Sequence, residues 1–187
     1  VKHEIIMERI LLCKPKMSGR EMDYVKAALA EDCVVSLDSD CDAFEHELEE
    51  FVGEDKKVAA HVSGTAALHL ALIALGVGPG DEVIVQLFTF CASTNPIAYL
   101  GATPVFVDSE IETWNMNPEL LEEAINDRIA KTGKTPKAII PVALYGMPYM
   151  IEEILKVATK YDIPIIEDAA EGFGSRYKGQ VLGIFGH

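Results

Sequence analysis

No two cysteines form a C-x-x-C pair, and no histidine stands in an H-E-x-x-H or similar ligand spacing. The compact zinc and redox signatures are therefore missing, and no metal is expected. Cys13, Cys33, Cys41 and Cys91 read instead as small core residues of a protein kept in a reducing cytoplasm. Positive charge is scarce as well. Sixteen Lys and Arg against 30 Asp and Glu leave a net charge of −14, and a field of that sign repels DNA and RNA. No apolar run approaches the length of about 20 residues that a membrane helix needs. The opening VKHEIIMERILLCKPK carries Glu4 and Glu8 around a short apolar run and does not read as a signal peptide. A first residue Val1 in place of Met points to ends that need not be the natural ones.

What is present is apolar and ordered. Hydrophobic residues make up 49% of 187 residues, enough for one domain with a large core, or one domain with an arm. SGRE, at Ser18 to Glu21, fits a capping box opening a helix to about Ala30. CVVSLDSDCD is turn-rich, and AFEHELEEFVG reads as a short helix stopped by Gly53. From residue 57 the pattern becomes regular. KVAAHV is expected as a strand, TAALHLALIAL as a helix buried on most sides, EVIVQL as a strand, FCASTNPIAYLG as a helical crossover and TPVFVD as a strand. Asn117 and Pro118 suit the N-cap and first position of a helix whose inner face is Leu121, Ile125 and Ile129. KAIIPVAL is a further strand. A helix from about Met150 to Tyr161 then buries Ile151, Ile154, Leu155 and Ala158, and IPIIED follows as a strand. Apolar strands without polar alternation, separated by helices, predict a mostly parallel sheet covered on both faces.

Ligands bind such sheets outside the carboxyl ends of the strands, which directs attention to three exits. In SGTAAL, Gly64 allows close backbone approach, Thr65 offers a hydroxyl and a helix start offers free N–H groups, so the segment suits a phosphate; an ordinary N-cap at Thr65 accounts for it equally. In QLFTFCAST, Phe88 and Phe90 are either core residues or a flat platform for a ring. In IPIIEDAAEGFGS, Asp168 either caps the next turn or pairs with a protonated ring nitrogen, and Ala169 and Ala170 leave space for the ring. A pyridoxal phosphate ring needs such a carboxylate, because its protonated nitrogen makes it an electron sink. GVGPG, at Gly76 to Gly80, resembles a dinucleotide fingerprint, but it follows a helix and precedes a strand, the reverse of the required order.

Five segments, SGTAALHLALIALGVGPGDEVIV, FTFCASTNPIAYLGATPVFVDSE, TWNMNPELLEEAI, KAIIPVALYG and PIIEDAAEGFGSRYKGQVLGIFG, together resemble the DegT/DnrJ/EryC1/StrS family of pyridoxal-phosphate-dependent sugar aminotransferases, from about Arg9 to Gly186. The resemblance implies an α/β fold, the large domain of fold-type-I transferases. Residues 1–56 would form a helical arm and 57–187 part of the cofactor domain, with the carboxyl-terminal small domain absent. It implies pyridoxal 5'-phosphate as cofactor. Gly64, Thr65 and Ala66 would lie at its phosphate, Phe90 on its ring, Asp168 at the ring nitrogen and Glu171 near the ring hydroxyl. The substrates would be a nucleotide-linked keto sugar and an amino acid, glutamate, and the assembly a homodimer in the cytoplasm, serving polysaccharide and cell-surface glycan synthesis. AAE, followed by SRYKG, is most like members that aminate C4 of a 4-keto-6-deoxy sugar.

The chain also departs from the family. Ala143 stands where many members have His, and VVSLDSDCDAFE lacks the usual Gly-rich form. The Schiff-base lysine of the family falls beyond FG, and Lys178 does not occupy its position. These 187 residues alone are therefore expected to be inactive, and a non-catalytic remnant that binds cofactor or a partner chain stands as the alternative.

Overall fold

The computed structural model describes Ile10, Val35 and residues 15–32, 39–53 and 55–187. Most of VKHEIIMERILLCKPK, Cys13, Cys33 and most of VVSLDSD lie outside the described residues. Two compact units are separated between Leu48 and Glu49. The first contains α1 (Glu21–Ala30) and the larger part of α2 (Ser39–Val52). The expected capping box is half formed. The Glu21 carboxylate accepts the N–H groups of Ser18 and Gly19, but Gly19 turns the chain at φ +92°, and Arg20 stands at the N-cap without a side-chain bond. α2 starts before the expected Ala43 and ends at Gly53, whose φ of +126° lets its N–H reach the Glu49 carbonyl at 2.9 Å.

Residues Glu49–His187 hold the sheet. β1 (Glu82–Gln86) lies between β2 (Thr103–Val107) and β3 (Ala138–Ile140), all parallel, with Ile84 opposite Val105 on one side and Ile139 on the other. IPIIED runs beside β3 in parallel register through single bridges, Ile139 to Ile165 and Val142 to Asp168, and not as a continuous strand. Pro141 is the cause. It has no N–H, so the ladder breaks between the bond from Ile166 N to Ile139 O (2.9 Å) and that from Asp168 N to Pro141 O (3.0 Å). The same residue shortens the expected strand KAIIPVAL to three residues.

Alternation along β1 divides the core. Val83 and Val85 face Leu72 of α3 (Gly64–Ala74) and Ile97 of α4 (Asn95–Tyr99). Ile84 faces the opposite side with Leu121 and Ile125 of α5 (Pro118–Thr132) and Ile151 and Ile154 of α6 (Ile151–Tyr161). Each of these fully buried aliphatic side chains contributes about 2–3 kcal/mol of transfer free energy, so helices are fixed to both faces. Asn117 caps α5, its Oδ1 accepting the N–H groups of Glu119 (2.8 Å) and Leu120 (3.2 Å). Val157 joins the buried face of α6, where Leu155 is only half-buried. A two-stranded hairpin, β4 (Arg176–Tyr177) and β5 (Gln180–Val181), follows.

Three expectations fail here. KVAAHV forms no strand; all its residues except Val58 are exposed, so no buried face holds it to the sheet. α3 is buried at Leu68 and Leu72, four residues apart, while Leu70 and Ile73 on the other side are 48% and 49% exposed. The sheet covers only one stripe of that helix. Cys41 is half-buried and Cys91 exposed, so neither is a core residue. The crossover expected in FCASTNPIAYLG is a 3₁₀ turn, Cys91–Ser93, followed by the short α4.

Candidate active site

From β2 the chain passes over β1 to form β3, so the order reverses between β1 and β3. The carboxyl ends of those two strands flank the crevice where open α/β sheets bind ligands. There a cavity of about 120 Å³ is lined by Gly64, Leu68, Thr89, Phe90, Ala92, Val142, Asp168, Ala170 and Glu171. Four of the six site residues expected from the sequence, Gly64, Phe90, Asp168 and Glu171, thus share one recess. Thr65 and Ala66 adjoin it in the first turn of α3.

Asp168 is held from two directions. Ser93 Oγ donates to its Oδ2 at 2.6 Å, and the Ala170 N–H donates to Oδ1 at 3.2 Å. Thr89 Oγ1 lies 2.8 Å from Ser93 Oγ, extending the chain of hydroxyls. Asp168 is 8% exposed, and among the described residues no basic side chain lines the cavity. A buried carboxylate of this kind calls for a positively charged partner. Its short bond to Ala170 N is local, as the capping alternative requires, but the bond from Ser93 crosses from another element.

Phe90 is 73% exposed and Phe88 40%, so neither is a core residue; both lie between the end of β1 and the turn at Cys91–Ser93. Glu171 accepts the Tyr145 N–H on its Oε2. At α3 the N-cap is Ser63 and not Thr65. Ser63 Oγ accepts the Ala66 N–H at 3.2 Å, so a phosphate here competes with Ser63 for that donor. A Cβ at Gly64 would meet no atom within 4 Å, leaving the helix start open. Ala143 is fully buried under Gly172, where an added Cβ would come within 3.0 Å of it; the site expected to lack a histidine contact is thus closed by packing.

Sequence reading missed Ser93, Gln86 and Asn115. The last two are fully buried polar side chains. Gln86 Nε2 donates to Phe88 O at 2.8 Å and its Oε1 accepts the Met116 N–H at 2.8 Å. Asn115 Nδ2 donates to Met147 O at 2.9 Å and its Oδ1 accepts the Leu144 N–H at 3.0 Å. The loops after β1, before α5 and after β3 are thereby tied together. Beneath Asp168, Glu167 accepts the Phe185 N–H on Oε2 at 2.9 Å, while its Oε1 and the hydroxyl of Tyr149 are buried without a partner. Burial raises the Glu167 carboxyl above its ordinary value against the opposing N–H groups of Gly183 and Phe185. Burial, then the neighbouring Glu167 charge, raises the Tyr149 phenol.

Comparison with known proteins agrees with this architecture. Residues 15–187 match the DegT/DnrJ/EryC1/StrS aminotransferase family. The chain is 47% identical over 179 residues to EpsN of Bacillus subtilis (strain 168), provisionally designated a pyridoxal phosphate-dependent aminotransferase, covering 96% of this chain and 46% of EpsN. It is 44% identical over 181 residues to GDP-perosamine synthase of Escherichia coli O157:H7, covering 96% and 47%. A crystal structure of a DegT DnrJ EryC1 StrS aminotransferase from Brucella abortus superposes with a TM-score of 0.85 at 38% identity, over 90% of this chain and 45% of that one. The chain spans about half the length of the curated relatives it matches. Its parallel sheet with helices on both faces is part of the fold-type-I architecture of pyridoxal-phosphate-dependent transferases. On sequence and structure together, the chain belongs to the DegT/DnrJ/EryC1/StrS aminotransferase family.

Proposed function

We propose that this chain supplies the cofactor-binding part of a cytoplasmic sugar aminotransferase that uses pyridoxal 5'-phosphate to convert a nucleotide-linked keto sugar to an amino sugar for glycan synthesis. The buried Asp168 carboxylate, fixed by Ser93 at the mouth of the switch-point crevice, carries this conclusion. The donor set fits the cofactor: an acidic floor for a cationic ring nitrogen, an exposed Phe90 ring for its face, and an open helix start at Gly64 and Thr65 for its phosphate. Pyridoxal 5'-phosphate, when bound, supplies the electron sink for amine transfer. Asp168 would keep the ring nitrogen protonated. Ser93 and the Ala170 N–H would hold that carboxylate aimed at the ring nitrogen. Glu171, anchored by the Tyr145 N–H, would stand near the ring hydroxyl.

The finer assignment is amination at C4 of a 4-keto-6-deoxy sugar with glutamate as amine donor, by a homodimer. The AAE segment supports the sugar, and the name of the GDP-perosamine synthase relative supports a nucleotide-linked substrate. Residues 1–56 would act as the arm and 57–187 as the cofactor domain. A non-catalytic role for the 187 residues by themselves is favoured by one observation: among the described residues no lysine lines the cavity.

The test is Asp168→Asn in a protein that carries these residues together with the remainder of the family's length. Turnover of a keto sugar nucleotide should fall at least about 10²-fold, by analogy with loss of other preorganised electrostatic contacts. Near-normal turnover overturns the assignment.

A further inference from the structure

Three aromatic rings distant in sequence meet beside the cavity. The Phe88 ring centroid lies 6.0 Å from that of Trp114 and 6.3 Å from that of Tyr145, and the rings are tilted by 43° and 80°. All three are exposed, Trp114 by 60% and Tyr145 by 74%. Each comes from a different loop: after β1, before α5 and after β3.

These loops are held in conformations that free chains avoid. Trp114 has φ +66° and Tyr145 φ +53°, both in the left-handed region where bulky residues persist only if the surroundings fix them. The fixing groups are on the page. Buried Asn115 holds Leu144 and Met147, buried Gln86 holds Phe88 and Met116, and the two amides approach each other at 3.4 Å. Glu110 accepts the N–H groups of Glu112 and Thr113 and the Thr113 hydroxyl, closing the turn that displays Trp114. A flat ligand stacked on these rings would offset that strain.

The chemistry of the ligand follows from the loops. Leu87–Phe90, Asp108–Asn117 and Ala143–Pro148 contain Asp108, Glu110 and Glu112 and no Lys or Arg. These loops offer no cation to a phosphate, whereas a flat ring can stack and its N–H groups can meet acceptors, so the platform suits the base of a nucleotide and not its diphosphate. The platform is continuous with the cavity: the Tyr145 N–H binds Glu171, and Phe88 precedes Thr89 and Phe90 on the cavity wall. We propose that Phe88, Trp114 and Tyr145 form the stacking platform for the base of the nucleotide-linked sugar. The assignment rests on the function proposed above, and places the base outside the cofactor cavity with the sugar directed into it.

Trp114 is the single tryptophan of the chain, so its fluorescence reports the platform alone. The chain is titrated with UDP and GDP, with ribose 5-phosphate and pyrophosphate as base-free controls. Saturable quenching by the nucleotides and none by the controls is expected. Tyr145→Asn removes the ring but keeps a residue that tolerates positive φ; it should weaken nucleotide binding about tenfold, while Tyr145→Phe should bind like the parent. The proposal is overturned by equal quenching with ribose 5-phosphate, by no response up to about 10 mM nucleotide, or by emission that shifts only with protein concentration, which would mark a second copy as the occupant. A parallel titration with pyridoxal 5'-phosphate, read by its own absorbance, separates the two assignments. Cofactor binding without nucleotide quenching sinks the platform alone, and quenching with no cofactor binding sinks the proposed function while supporting the platform.

Discussion

Ser93 Oγ and Asp168 Oδ2 lie 2.6 Å apart, joining residues 75 positions distant in the chain. The bond ties the turn after β1 to the segment beside β3, across the switch point, and both partners are buried. Ser93→Ala leaves one carboxylate oxygen without its donor. A hydrogen bond to a charged group contributes about 1.5–3 kcal/mol, so the urea midpoint should fall by a corresponding amount with an unchanged slope. An unaltered midpoint would mean that the hydroxyl does not hold the carboxylate.

The parallel sheet was legible because its strands are short apolar runs separated by amphipathic segments, and the α5 start was legible because Asn117 and Pro118 have one good use together. The burial of α3 was misjudged because composition reports how apolar a helix is, not which stripe meets the sheet; Leu68 and Leu72 do, Leu70 and Ile73 do not. Pro141 was visible inside KAIIPVAL, and its missing N–H shortened the strand. Asp168 was legible as an acid at a strand exit. Ser93 was not, since its role depends on a partner far along the chain. Gln86, a lone amide ending an apolar strand, was the available signal for the buried network that supports the aromatic loops.

Glu167 sets a pH dependence of stability. Its carboxyl is raised above 4.5, chiefly by burial. The folded state therefore binds the proton more tightly than the unfolded one, and the stabilisation is complete below pH 4.5 and lost as pH rises through the raised value. Glu167→Gln keeps an oxygen to accept the Phe185 N–H but cannot ionise. Thermal unfolding measured from pH 4 upward should show the parent losing stability relative to the variant. Parallel pH curves for the two proteins would rule this out.

Leu70 and Ile73 leave an apolar stripe on the outer side of α3. Exposed patches of this kind favour association, in line with the proposed homodimer. Sedimentation at micromolar concentration should show a species larger than a monomer, and Leu70→Ser with Ile73→Ser should shift it toward monomer without altering the far-ultraviolet circular dichroism. A parent that sediments as a monomer at all concentrations contradicts the prediction.

Lys178 is the lysine nearest in sequence to the cavity residues Ala170 and Glu171, and it is not expected to act as the family's cofactor lysine. It sits in the turn between β4 and β5, with φ +48° followed by Gly179 at φ +85°, and it does not line the cavity. Its ammonium donates to the Glu152 carboxylate, and that bond, first among the causes, raises its pKa. A raised value leaves less free amine at neutral pH, and the free amine is the nucleophile. Without an amine in place to move the substrate proton, a factor of about 10²–10⁴ in rate is forfeited. The 187 residues by themselves should then give no measurable transamination. Borohydride reduction in the presence of pyridoxal 5'-phosphate, followed by peptide mapping, should leave Lys178 unlabelled or labelled far below one equivalent. Stoichiometric labelling at Lys178 together with turnover of a keto sugar nucleotide would show instead that the hairpin swings its lysine into the crevice, breaking the Glu152 pair.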